Sequence, residues 1–167
     1  MKKTVIGVMG PGTRATATDL QNAYQLGYHI ANAGWVLLTG GRKTGVMDAA
    51  SQGAKAAGGL TVGILPNDGI KGISEAVDIA IITDLGNARN NVNVLSADAV
   101  IACGMGLGTV SEIALALKNG KSVVLLGQDW HSQQFFRDLA PENVFLADSP
   151  QTAITAVQKI LSSRPLP

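Results

Sequence analysis

The stretch Gly104-Met105-Gly106-Leu107-Gly108-Thr109-Val110-Ser111-Glu112 concentrates the chemistry of this chain. An apolar run from Asp98 to Cys103 leads into it, and a helical pattern from Glu112 to Lys118 leads out. A strand, a glycine turn and a helix start together build an anion site. Glycine lets a ligand approach the backbone closely. The first helix amides lack intrahelical partners and carry the positive end of the dipole, so a phosphate fits there. Thr109 adds a hydroxyl at that end, and Glu112 sits about one turn into the helix, within reach of the same mouth. The alternative reading is a tight turn with an acid in the first helical turn.

Two more glycine turns follow the same plan, Gly10-Pro11-Gly12 and Gly40-Gly41-Arg42-Lys43-Thr44-Gly45. Each follows an apolar run and precedes a helical pattern, so in a parallel sheet all three lie along one edge. Three turns facing one crevice point to an anionic small molecule more specifically than any one of them. Arg42 offers a bidentate fork for a phosphate, and Lys43 is either a second clamp or a solvated charge. Arg14 fits both roles. Arg89 stands in the first turn of its helix, where a cation opposes the dipole, so it calls for an acid such as Glu112 or a ligand anion. Asn87, Asn90 and Asn93 bring amides that either read a ring edge or serve as surface polarity. Cys103 ends a buried strand and reads as core, His131 and Trp130 as surface loop, Trp35 as core and His29 as helix surface.

Alternating elements position these residues. Strands are expected at 4–9, 35–39, 60–65, 77–83, 98–103, 122–126 and 144–146. Helices are expected at about 16–33, 46–57, 87–97, 112–118 and 150–161, with a short one over 133–139 in an irregular stretch. The first helix presents Leu20, Ala23, Tyr24, Gly27, Ile30 and Ala31 at helical spacing. Strand–helix alternation implies right-handed crossovers and a parallel sheet. The expectation is an α/β fold: one Rossmann-like domain over 1–167, a three-layer α/β/α sandwich with a mainly parallel sheet. The first turn lacks dinucleotide spacing and the second strand ends in Thr39-Gly40 without an acid for a ribose, which argues against an ordinary NAD or FAD enzyme.

The 167 residues suit one domain with a core of Val, Ile, Leu and Ala, since hydrophobic residues make up 46% and aromatics 4%. A net charge of +1 gives little phosphate neutralisation, so no nucleic acid is expected as partner. One cysteine and two histidines leave no internal disulfide and no expected metal site. The apolar run after Met1-Lys2-Lys3 is too short and glycine-broken for a signal peptide or a membrane span, so a soluble cytoplasmic protein is expected. Residues 164–167 are expected to fray.

The set Gly40-Gly41-Arg42-Lys43-Thr44-Gly45-Val46-Met47, Arg89, Asp98-Ala99-Val100 and Gly106-Leu107-Gly108-Thr109-Val110-Ser111-Glu112 resembles the superfamily once described as lysine decarboxylase-like. That superfamily includes the LONELY GUY cytokinin-activating phosphoribohydrolases and the molybdenum cofactor carrier proteins. The hydrolase branch implies that Arg89 and Glu112 flank the N-glycosidic bond of a nucleoside monophosphate. The chain departs from that branch at Gly104-Met105-Gly106, where the enzymes open Pro-Gly-Gly, and at Asn87-Ala88, where they carry His and Glu. The carrier branch matches better in length, in the Gly-Gly-Arg-Lys-Thr-Gly turn and in the Asn-rich segment around Arg89. It implies a non-catalytic protein that binds, protects and passes on the molybdenum cofactor, a pterin dithiolene with a terminal phosphate. It also implies a homo-oligomer, dimer or tetramer, and a molybdoenzyme recipient. The residues expected at the ligand are Gly10, Gly12, Gly40, Gly41, Arg42, Thr44, Gly45, Asn87, Arg89, Asn90, Gly106, Leu107, Gly108, Thr109 and Glu112. No catalytic residue is expected in a carrier, and Arg89 and Glu112 take that role in a hydrolase.

Overall fold

Strands rich in Val, Ile and Leu alternate with helices along the chain, as the sequence pattern predicts. The computed structural model describes residues 3–163, so the expected frayed end at 164–167 lies outside the described residues. The elements are β1 (Val5–Met9), α1 (Ala17–Asn32), β2 (Val36–Thr39), α2 (Gly45–Ala56), β3 (Thr61–Leu65), β4 (Ile79–Ile82), α3 (Arg89–Ser96), β5 (Ala99–Cys103), α4 (Leu107–Lys118), β6 (Val123–Leu126), α5 (Trp130–Leu139), β7 (Val144–Ala147) and α6 (Pro150–Ser162). The sheet order is β4-β3-β2-β1-β5-β6-β7 and its pairings are parallel. The order reverses between β1 and β5, which opens a crevice beyond their carboxyl ends.

Helices cover both faces, giving the expected α/β/α sandwich. On one face Leu26 and Ile30 of α1, Val46 and Ala54 of α2 and Val157 of α6 pack against Ile6, Val8 and Leu37. On the other, Val94 of α3, Ile113 and Ala116 of α4 and Phe136 of α5 pack against Met9, Leu38, Val100 and Leu125. Capping boxes start α1 (Thr16 with Asp19) and α6 (Ser149 with Thr152).

Several elements differ from expectation, each for a physical reason. The buried stripe of α1 is Asp19, Ala23, Leu26, Gly27 and Ile30, while Leu20 and Tyr24 are exposed. Backbone contact with α2 sets that rotation: a Cβ on Gly27 would stand 1.9 Å from Ala50 O, and one on Gly53 1.9 Å from Tyr24 O. Strand β4 is shorter than the 77–83 run, and all four of its residues are exposed. It forms the sheet edge, and no helix separates it from β3. The helix expected at 87–97 begins with a 3-10 turn at Gly86–Ala88. Helix α4 starts at Leu107, five residues before the 112–118 helical pattern, which puts Glu112 past its first turn as expected. The segment read as irregular holds the ten-residue α5, started by Asp129, whose side chain accepts from Ser132 N. Among the described residues no helix is long and apolar enough to cross a membrane.

Candidate functional site

The three glycine turns meet at the crevice between β1 and β5, around a cavity of about 320 Å³. Gly10, Gly12 and Arg14 reach it from the turn after β1, and Gly40, Arg42 and Thr44 from the turn after β2. Gly106, Leu107, Gly108, Thr109 and Glu112 reach it from α4 and its turn, and Asn87, Arg89 and Asn90 from the start of α3. Thirteen of the fifteen expected residues are in that lining; Gly41 and Gly45 are not. Those two shape the wall from behind. Gly41 (φ 72°) lies against the backbone of Gly63, and Gly45 (φ 54°) against the carbonyls of Pro11 and Gly12.

The helix ends behind the three turns are not equivalent. The N-terminus of α1 is closed by its own capping box, with Thr16 and Asp19 bonded to each other's amides. The expectation of three open helix ends therefore reduces to two, because Asp19 occupies the first. Helices α2 and α4 have no side-chain cap. At α4, Gly106 is the N-cap, Thr109 Oγ1 is buried without a partner, and a Cβ on Gly108 would meet nothing within 4 Å. Leu107, Gly108 and Thr109, whose amides open the helix without a side-chain acceptor, all line the cavity.

Arg89 and Glu112 are both buried, 8% and 7% exposed. Glu112 or a ligand is the expected partner of Arg89. The charge of Glu112 does act on it, and its hydrogen bonds go to backbone: Nη1 donates to Gly40 O at 2.7 Å and Ile64 O at 2.5 Å. These carbonyls sit at the carboxyl ends of β2 and β3, and the guanidinium holds the two ends together. Burial lowers the Arg89 pKa, the charge of Glu112 raises it, and Arg42 lowers it again. The Oε1 of Glu112 accepts from Asn93 Nδ2 at 2.9 Å. Burial raises the Glu112 carboxyl from 4.5 to about 7, against the opposing pull of Asn93 and Arg89.

The asparagines divide the work differently from expectation. Asn93 is fully buried and holds Glu112 rather than reading a ligand edge. Asn90 lines the cavity but gives its amide to Ser111 Oγ at 2.8 Å, zipping α3 to α4. Asn87 is exposed and lines the cavity. The α3–α4 bridges pair Asn90 with Ser111 and Asn93 with Glu112, a register that single-residue reading of the sequence does not reveal. Met47, Pro11 and Thr13 also line the cavity without any sequence signal of chemistry.

Other candidates fall away. Lys43 Nζ pairs with Glu75 Oε1 at 2.5 Å on the surface, outside the cavity lining. Cys103 is buried and donates to Asp19 O at 3.5 Å. Its thiol is pushed up to about 12 by burial, with Asp19 adding to the rise, so it is inert. His131 lies on α5, exposed, and is not in the cavity lining. The side chains of Arg14 and Arg42, both exposed, make no hydrogen bond or ion pair among the described residues, and both residues line the cavity.

The chain resembles several characterised proteins. The molybdenum cofactor binding protein from the phototrophic bacterium Rippkaea orientalis shares 62% identity and a TM-score of 0.95, over 96% of this chain and 99% of that one. The molybdenum cofactor carrier protein of Chlamydomonas reinhardtii shares 49% identity and a TM-score of 0.93, over 97% of this chain and 100% of that one. A cytokinin riboside 5'-monophosphate phosphoribohydrolase of Mycobacterium marinum is 30% identical over 150 residues, 85% of this chain and 78% of the relative. Residues 3–154 match the SLOG cluster4 family (LDcluster4). The match spans all of the cavity-forming turns, so the chain belongs to the SLOG cluster4 family, within the lysine decarboxylase-like superfamily that its motifs resemble.

Proposed function

We propose that this chain binds the molybdenum cofactor as cargo, shields it from oxidation and passes it to a molybdoenzyme. The observation that carries the reading is the open end of α4 in the cavity wall, with its uncapped amides, the bare Gly108 and the unpartnered Thr109 hydroxyl. The donor set fits the cargo. The amides and the Thr109 hydroxyl suit the terminal phosphate, the unpaired guanidiniums of Arg42 and Arg14 suit further negative charge, and the Asn87 amide suits a pterin edge. The high identity to a molybdenum cofactor binding protein supports the same reading.

The test is an anoxic titration of the purified protein with molybdenum cofactor, with AMP as competitor. Tight binding, slowed oxidation on exposure to air and indifference to AMP are expected. Absence of cofactor binding would overturn the reading.

A second reading has one observation in its favour. A buried carboxyl titrating near neutrality suits a general acid or base, and Glu112 occupies the position that the superfamily's hydrolases use. Release of free base from AMP or a cytokinin nucleotide, abolished in Glu112→Ala, would establish that activity.

We also infer a homo-oligomer. The edge strand β4 exposes Ile79, Ile81 and Ile82, with Leu85 and Leu95 also uncovered. On α4, Ala114 is exposed and Leu117 half-buried, while Ala116 is fully buried. Light scattering at micromolar concentration is expected to give a dimer or larger, reduced toward monomer in Ile81→Asp.

A further inference from the structure

We propose that Glu112 carries a proton when the cavity is filled and donates it in a hydrogen bond to the bound anion, so that loading the cavity takes up a proton from water. This rests on the cargo reading above and concerns how the same cavity is filled and emptied.

The geometry makes the case. Glu112 belongs to the cavity wall and is 7% exposed. Its Oε1 accepts from Asn93, and no hydrogen bond to Oε2 is present among the described residues. The charge of Arg89 favours the ionised carboxylate from nearby, but its Nη1 is committed to the carbonyls of Gly40 and Ile64, and burial of Glu112 outweighs that pull. No ion pair joins Arg89 to Glu112 among the described residues. The other charged groups in the lining are Arg14, from the turn after β1, and Arg42, from the turn after β2. Both are exposed at the mouth, whereas β1, α2 and the rest of α4 bring no titratable side chain to the lining.

An anion entering this cavity meets two different walls. At the α4 amides and at the arginines it finds donors. At Glu112 an ionised carboxylate would repel it, and burial makes that repulsion expensive. Protonation reverses the sign, because the neutral acid presents an O–H donor to the anion. Burial already brings the carboxyl to about 7, so the field of a bound anion completes the protonation. The proton comes from the buffer and returns to it on release. Affinity is then expected to fall about tenfold per pH unit above neutrality.

The test uses the full chain and molybdenum cofactor under anoxic conditions. Calorimetric titrations at about pH 8, in two buffers of different ionisation heat, count the protons exchanged. Dissociation constants are followed from about pH 6 to pH 8.5. The native chain is expected to take up about one proton more than Glu112→Gln, and its affinity to fall with pH while that of Glu112→Gln falls less. A proton bound by the cofactor's own phosphate would appear equally in both proteins and cancel. An infrared band of a protonated carboxylic acid is expected on loading the native chain at about pH 8. Equal proton counts with parallel affinity curves would overturn the inference and leave the cargo reading standing. Absence of the infrared band in the loaded native chain would do the same, however the variant folds. No cofactor bound at any pH would overturn the cargo reading, and this inference with it.

Discussion

The turns after β2 and after β5 look alike in sequence and serve opposite purposes in the structure. In the first, every glycine is enclosed by protein. A Cβ on Gly40 would stand 2.2 Å from Arg89 Nη1, one on Gly41 2.9 Å from Gly63 Cα, and one on Gly45 2.2 Å from Gly12 O. In the second, a Cβ on Gly108 meets nothing within 4 Å, and one on Gly106 meets Pro11 Cβ at 3.4 Å. The first turn lacks side chains so that the wall can close. The second does so only at Gly104 (φ 73°), where a Cβ would stand 2.6 Å from Asp19 Oδ1; at Gly108 the missing side chain leaves open space in the cavity lining.

Substitutions can break or sharpen this contrast. The largest effect is expected for Gly45→Ala, which combines a positive φ with a clash against two carbonyls. It should cost about 3 kcal/mol or more in urea unfolding. Gly40→Ala should cost about 2 kcal/mol, because Arg89 or Met47 must shift to admit the methyl group.

Glu112→Gln probes the wall facing these turns through pH. The folded pKa of Glu112 is raised, so the native state binds more protons than the unfolded chain between 4.5 and about 7. The stability contributed by the protonated acid is complete below 4.5 and lost as pH rises through about 7. Glu112→Gln, which does not titrate, should therefore gain about 3 kcal/mol on the native chain between pH 4 and pH 8, read from urea midpoints at both. The smallest stability effect belongs to Gly108→Val, expected within about 0.5 kcal/mol of the native chain. Its effect on the ligand should be the reverse, with binding weakened at least tenfold. An unchanged affinity would move the anion away from α4.

Sequence reading located the elements because hydrophobic runs and glycine stops are local signals. It missed the start of α5 although Asp129-Trp130-His131-Ser132 contains a helix cap, and the helical pattern of α4 was clear only from Glu112 because Leu107 and Gly108 resemble loop. At the site it found the residues more readily than their duties. Arg89 was legible as a cation in need of a partner, but the carbonyls of Gly40 and Ile64 belong to other strands and leave no trace in residue types. Asn93 looked like one amide of three, and its bond to Glu112 depends on how α3 packs against α4. The open apolar edge at β4 was hidden because an exposed Ile-Ala-Ile-Ile strand reads the same as a buried one.

The two hydrogen bonds from Arg89 Nη1 to Gly40 O and Ile64 O bear on how quickly a bound ligand would exchange with this cavity. The guanidinium is held by backbone carbonyls of two strand ends with no ligand needed to place it. A ligand arriving at this wall finds it already ordered and loses little affinity to rearrangement there. Residence time is then expected to depend on the mouth, where Leu107 is 91% exposed and the Arg42 side chain is exposed, rather than on melting of the floor.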